Sequence, residues 1–351
     1  MKKIQPSCCG GARASASETS EKILSASSRL NLADHWGSVR MRLGINRHKY
    51  RVIPGLYRLG SSGRNSPVFV TANYKLSFDT LRKNLAGMEA WILVLDTKGV
   101  NVWCAAGKGT FGTNELVQKI DATGLKKLVS KKTVIVPQLG APGVAAHEVL
   151  KRTGFKVVFG PVRAGDIGKF MDNGLKADSE MRRVRFDLID RFKLVFVEFA
   201  GVLKYLLFAA VLIFVISLAL NSFSISAALA KGLTGMIGVL LALAAGTILT
   251  PLVLPWLPGR SFSLKGLVAG IATGLAFALL SGEGPFHIAA WALVSAAISS
   301  FLAMGFTGAS TYTNLSGTIK EMTIYIPVQI ASASAGIILM ILPFFIKSLG
   351  G

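Results

Sequence analysis

The sequence predicts an α/β domain built on a parallel sheet, followed by an all-α domain of five membrane-spanning helices. Three observations carry this. Charge is concentrated in the first 200 residues, long apolar stretches fill the remainder, and short apolar runs alternate with helical patterns from about residue 50 onward.

The 351 residues include 39 basic and 18 acidic side chains, a formal net charge of +21. Spread evenly, that excess would suggest a nucleic acid. Only Lys204, Lys231, Arg260, Lys265, Lys320 and Lys347, with the acids Glu283 and Glu321, follow residue 200. The chain is a basic soluble half joined to an apolar half, and no nucleic-acid partner is expected.

Residues 1–30 are polar and rich in Ser and Ala, so they read as a disordered tail without the apolar core of a signal peptide. Cys8 and Cys9 in this tail either hold a soft metal ion or are incidental. Strands are expected at 67–71, 90–96, 133–137 and 155–159, and helices at 77–86, 114–130 and 142–153. Pro142 suits a helix first turn and Gly154 its stop. Strand and helix in alternation predict a parallel sheet, which binds ligands outside the carboxyl ends of its strands.

Three of those exits, 96–109, 138–143 and 160–168, are rich in glycine. Either they are ordinary tight turns, or they admit a large planar or polyphosphate ligand close to the backbone. Thr71, Asn73 and Tyr74 sit at a fourth exit.

Apolar spans are expected at 199–220, 233–257, 264–281, 286–306 and 326–346, each near the ~20 residues needed to cross the hydrocarbon core. Basic segments at 181–193 and 258–265 should be cytoplasmic. Five spans then put the α/β domain in the cytoplasm and the C-terminus outside. Lys204 is expected to snorkel to the cytoplasmic interface. Glu321 and Lys320 are expected to pair at the surface.

The segment NVWCAAGKGTFGT, 101–113, holds the one cysteine outside the tail. It is not a Walker A loop: Val102 stands where the first Gly is needed, and Gly109 where Ser or Thr must follow the Lys. Gly107, Gly109 and Gly112 have the G-x-G-x-x-G spacing, but in the wrong context, since the strand before them ends at 96. Three cysteines and the scattered His35, His48, His147 and His287 do not assemble a zinc or iron–sulfur ligand set. A Cys104–His147 nucleophile pair lacks an orienting third group. What remains is a thiol on a short helix: Asn101 as N-cap places Cys104 at the third helical position, where the helix dipole favours thiolate. Ala105, Ala106 and Gly107 keep that surface flat, which suits packing against a broad ring with a metal at its centre.

NVWCAAGK resembles the signature of the mercury-methylating corrinoid protein (HgcA) family. Residues 70–82, 90–116 and 136–171 resemble the corrinoid-binding domain of the corrinoid iron–sulfur proteins of the acetyl-CoA pathway. The resemblance covers roughly 45–175, and the D-x-H-x-x-G motif of histidine-ligated cobalamin proteins is missing. It implies a disordered or variable region at 1–44, a Rossmann-like corrinoid-binding domain at 45–180, a basic juxtamembrane linker at 181–198 and the transmembrane domain at 199–351. The expected setting is the cell inner (cytoplasmic) membrane.

The same resemblance implies a cobalamin-type corrinoid, bound base-off, with Cys104 as lower axial ligand to cobalt. It implies transfer of methyl from the corrinoid to Hg(II), giving methylmercury. The partners implied are a ferredoxin-like iron–sulfur reductant and a methyl donor, either a methyltransferase or a methyltetrahydrofolate-linked one. Asn101, Val102, Trp103, Ala105, Ala106, Gly107 and Lys108 would lie against the ring, Asn101 capping the helix, Trp103 packing it and Lys108 meeting a ring amide or facing water. Gly140, Gly143, Gly160 and Gly165 would let the sheet edge approach the cofactor, and Thr71 and Asn73 would touch it. Two alternatives stand beside this: a membrane-tethered methyl carrier of one-carbon metabolism, and a transporter with a ligand-sensing domain.

Overall fold

The computed structural model describes residues 23–45, 49–203, 205–220, 223–307 and 315–349. Cys8, Cys9, His48, Lys204 and residues 308–314 lie outside them. The chain divides into two compact units, one containing His48–Arg183 and the chain up to Ser38, the other Val39–Arg47 and Val184–Gly351.

The first unit is built on a six-stranded sheet. In chain order its elements begin β1 (Leu24–Ala26), α1 (Leu32–Arg42, which from Val39 onward belongs to the other unit), β2 (Gly55–Leu59), β3 (Val68–Ala72), α2 (Lys75–Asn84), β4 (Ala90–Leu95) and α3 (Val102–Gly107). They continue with α4 (Thr113–Ala122), α5 (Leu125–Leu128), β5 (Thr133–Val136), α6 (Ala146–Thr153), β6 (Lys156–Phe159), α7 (Ile167–Asp172) and α8 (Ser179–Arg182). The strand order is β1-β2-β4-β3-β5-β6. The four expected strands form the parallel part, β4-β3-β5-β6. The sheet as a whole is mixed, because β2 runs antiparallel to β4 and carries β1 on its far edge. The expected tail therefore reaches the sheet: Leu24–Ala26 pairs with Tyr57–Leu59.

The order of β3, β4 and β5 positions the site. The chain leaves β3 for β4 on one side, then crosses back to β5 on the other. The crevice at the carboxyl ends of β3 and β5 is thus a topological switch point, where ligands bind in open α/β sheets. One face of the sheet packs Phe69, Ile92 and Ile135 against Phe78 and Leu81 of α2 and Ile167 and Phe170 of α7. The strand interiors are almost wholly buried apolar side chains, as a sheet covered on both faces requires.

Two expected helices are differently bounded. The stretch 114–130 breaks into α4 and α5 at Gly124, whose φ of 63° ends one helix and starts the next. Pro142 lies in a 3-10 turn, Gln138–Gly143, rather than in the first turn of α6. Gly154 does stop α6, at φ 77°.

The second unit is helical: α9 (Leu188–Leu203), α10 (Leu206–Leu220), α11 (Ile225–Ala244), α12 (Thr250–Leu252), α13 (Phe262–Leu280), α14 (Pro285–Met304) and α15 (Leu315–Leu349). Among the described residues, four helices are long and apolar enough to cross a membrane: Ile225–Leu252, Phe262–Leu280, Pro285–Thr307 and Gly317–Ile346. The expected span at 199–220 is divided between α9 and α10. Tyr205 N–H bonds Val202 O at 2.9 Å, an i−3 contact that interrupts the regular ladder. The 15 residues of α10 reach about 22 Å, short of a ~30 Å core.

Helices α13 and α14 approach backbone to backbone. A Cβ at Gly266, Gly270 or Gly274 would come within 2.6 Å of the carbonyl oxygen of Ser299, Ser295 or Trp291, respectively. Glu321 does not pair with Lys320 at the surface. It is buried, and its carboxylate accepts from the Ser263 N–H in the first turn of α13 at 2.6 Å.

Candidate functional site

The loop from β4 to α3 is held by one buried side chain. Asn73, 1% exposed at the end of β3, donates from Nδ2 to Asp96 Oδ1 at 3.0 Å. Its Oδ1 accepts from Thr97 N at 3.1 Å, Thr97 Oγ1 at 2.9 Å and Gly99 N at 2.9 Å. Thr97 and Val100 close the turn, with Val100 N bonded to Thr97 O at 3.1 Å. Both residues between them have positive φ, Lys98 at 58° and Gly99 at 77°. Lysine rarely adopts that conformation; here the Asp96 carboxylate accepts from its backbone N–H and pairs with its ammonium. Burial acts to raise the Asp96 pKa, but the Lys98 contacts outweigh it and hold the carboxyl below its usual range.

The loop delivers Asn101, which caps α3 as the sequence predicts. With extended backbone (φ −65°, ψ 162°), its side chain accepts from Cys104 N at 2.9 Å. Val102, Ala105 and Ala106 are buried, and Cys104 is half-buried and free. The chain then turns through Gly109 (φ 79°) so that Thr110 N and Phe111 N both bond Ala105 O, which seats the Phe111 ring in the core.

A cleft of about 360 Å³ opens at the switch point. Phe69, Val70 and Thr71 of β3, Ile135 of β5 and Gly160 after β6 form its floor and sides. Asn101, Val102 and Trp103 form one wall, and Leu76, Ser77 and Thr80 of α2 another. Pro137, Leu139, Pro161 and Val162 complete the rim. The lining is mostly apolar, with the hydroxyls of Thr71, Ser77 and Thr80 among it. That composition suits a broad, largely apolar ring carrying peripheral polar groups.

The structure thus gathers Thr71, Tyr74, Asn101, Val102, Trp103 and Gly160 of the expected residues around one cleft. Cys104 stands beside this wall rather than in it, one residue along α3 from Trp103. Lys108 and Gly107 are exposed, and a Cβ at Gly107 would meet nothing within 4 Å, so the outer surface of α3 is open. His147 is exposed on α6.

Three expected contacts have another purpose. Asn73 serves the loop, and its hydrogen bonds are spent on protein. Gly140 and Gly143 make room for protein as well: a Cβ would lie 2.5 Å from the Phe111 ring at Gly140 and 2.1 Å from Phe111 O at Gly143. They seat the 3-10 turn against α3 and the loop after it. Gly165 has only Asn84 Oδ1 near, at 3.8 Å. The α2 residues Leu76, Ser77 and Thr80 were missed from sequence. The spacings of three residues from Ser77 to Thr80 and four from Leu76 to Thr80 were the available signal that one side of that helix faces a cleft.

These elements lie within a segment that is similar to known proteins. Residues 46–171 match the family model described as CO dehydrogenase/acetyl-CoA synthase delta subunit (CdhD). The chain is 32% identical over 124 residues to the acetyl-CoA decarbonylase/synthase complex subunit gamma of Archaeoglobus fulgidus, covering 35% of this chain and 26% of that one. It is 34% identical over 123 residues to the same subunit from Methanothermobacter thermautotrophicus, covering 34% and 26%. For subunit gamma 2 of Methanosarcina thermophila the figures are 32% over 114 residues, covering 31% and 24%. The match spans about a quarter of each of these relatives.

Proposed function

We propose that residues 46–171 bind a corrinoid at the β3–β5 cleft and carry methyl groups on it, and that the apolar helices tether this domain to a membrane. The observation that carries the proposal is an open, mostly apolar cleft with an Asn-capped thiol helix at its wall, inside the segment that matches acetyl-CoA synthase subunits. A bound corrinoid supplies a cobalt centre that can take up and pass on a methyl group.

The chain's own residues divide the work of holding it. Trp103 and Val102 pack the ring, Thr71, Ser77 and Thr80 offer hydroxyls to its amides, and the exposed surface at Gly107 and Lys108 leaves room for it, while Ala105 and Ala106, expected at the ring, are buried against protein. Cys104 would hold cobalt through sulfur, a soft donor, with the cofactor's own base off the metal. Loop 96–100, pinned by Asn73, keeps α3 in place.

The relatives' names favour a methyl carrier of the acetyl-CoA type, partnered with other subunits and a methyl donor. A second reading is favoured by Cys104. An electron-rich thiolate donor suits transfer of methyl to an electrophile, Hg(II), giving methylmercury, with a separate ferredoxin-like iron–sulfur protein as reductant. The basic segment 181–193 supports a cytoplasmic face for the domain at the inner membrane.

The test is the visible and EPR spectrum of the full chain, purified anaerobically and reconstituted with cobalamin, beside Cys104→Ala. A wild-type sulfur-ligated, base-off signature that the variant loses supports the thiolate, and methyl transfer to Hg(II) against a thiol acceptor then decides between the readings. Equal spectra leave the carrier reading alone. No retention of cobalamin by either protein sinks both.

A further inference from the structure

Helix α1 presents a face that the proposed site does not use. Three residues fix its inward side. The Asp34 carboxylate bonds Lys75 Nζ at 2.6 Å and Arg82 Nη2 at 2.7 Å. A Cβ at Gly37 would lie 2.7 Å from the Tyr50 ring, and Met41 is buried. At about 100° per residue these positions share one side of the helix.

The opposite side, about 160° round, carries Leu32, Trp36 and Val39. Leu43 continues it, since its N–H still bonds Val39 O at 3.0 Å. These four side chains are 87%, 64%, 45% and 41% exposed. Four large apolar groups in one outward stripe are costly in water. Arg40 and Arg42 fall on its two borders, and the acid of this helix, Asp34, is turned inward and neutralised.

An apolar stripe with tryptophan in it, edged by arginines and free of outward acids, has the side-chain chemistry of a lipid interface. The stripe enters the acyl boundary, the indole sits at headgroup depth, and the guanidiniums reach anionic phosphates. Residues Val39–Arg47 also belong to the compact unit that holds the four apolar helices. Because those helices already anchor the chain, binding by α1 is intramolecular, and a helix of 11 residues suffices where it would bind weakly alone.

We infer that α1 lies in the plane of the membrane interface, with Leu32, Trp36, Val39 and Leu43 in lipid and Arg40 and Arg42 on anionic headgroups. The inference rests on the membrane reading of the C-terminal helices and is independent of the corrinoid.

The test uses the full chain in nanodiscs of mixed phosphatidylcholine and phosphatidylglycerol. Nitroxide labels go on Leu32→Cys, His35→Cys, Trp36→Cys and Val39→Cys, one at a time, with the native cysteines replaced by serine. Positions 32, 36 and 39 are expected to collide several-fold more with oxygen than with a water-soluble nickel complex, relative to position 35. Adding Arg40→Glu and Arg42→Glu should move them toward nickel.

Preferential nickel collisions at 32, 36 and 39 would overturn the inference, and shielding from both reagents would replace lipid with a protein partner. No response to the charge reversal would refute the headgroup contact. A label on Ile337→Cys, in the last apolar helix, reports on the spans separately, so a failure of the membrane reading is distinguished from a failure of this one.

Discussion

Asn73 Oδ1 lies 2.9 Å from the backbone nitrogen of Gly99, across 26 residues of sequence. One buried amide at the end of β3 thereby holds the turn on which α3 and its thiol depend. Asn73→Ala leaves the N–H groups of Thr97 and Gly99 without that acceptor. The expected cost is about 2–4 kcal/mol of stability, roughly 1–3 kcal/mol for the buried Thr97 N–H and about 1 for the partly exposed Gly99 N–H. Amide hydrogen exchange over residues 97–104 should quicken, with cobalamin retention falling alongside it; protection equal to wild type would show that the turn is held by other means.

Asn101→Ala removes the acceptor for Cys104 N–H and is expected to cost about 1 kcal/mol. Asn101→Asp keeps the cap and should restore most of the loss. Thermal unfolding of the two variants checks the order, which a purely cofactor-contacting Asn101 would not produce.

The glycines separate into two kinds. Gly143→Val drives a side chain into Phe111 O and Ala106, so a loss of about 1–3 kcal/mol or more is expected from overpacking alone. Gly107→Ala places its methyl in open space within a helix, where stability should hold or rise by up to ~1 kcal/mol. If α3 lies against the ring, that same methyl lowers cobalamin retention. Unchanged retention in Gly107→Ala would move the ring away from this surface.

The Asp34 carboxyl gives a pH signature. Burial acts to raise its pKa, but hydrogen bonds from Lys75, the Asn31 backbone and Arg82 outweigh it and hold it well below the usual carboxylate range. A depressed folded pKa contributes stability that is complete above the unfolded value of about 4 and fades as pH falls through the folded value. Asp34→Asn should therefore be less stable than wild type at neutral pH, with the gap closing below about pH 4. Urea unfolding against pH measures it; a constant gap would show that charge is not what Asp34 contributes.

What the sequence determined by itself is what depends on near neighbours. The apolar runs of β3 to β6, the stop at Gly154, the Asn101 cap three residues before Cys104 and the long apolar helices all follow from contacts within a few residues. The resemblance to acetyl-CoA pathway proteins was legible for the same reason, being written in short contiguous strings. The tertiary structure alone decided the rest. β1 is too short to show a pattern and exists because β2 offers an edge, while β2 is antiparallel because of where the chain must return. Asn73 looked like a ligand contact and Gly140 and Gly143 like cofactor clearance, because their true partners lie some 23 to 37 residues away in sequence. A hydrogen bond or close packing contact across that distance leaves no periodicity in the chain; only the folded sheet brings the two ends together.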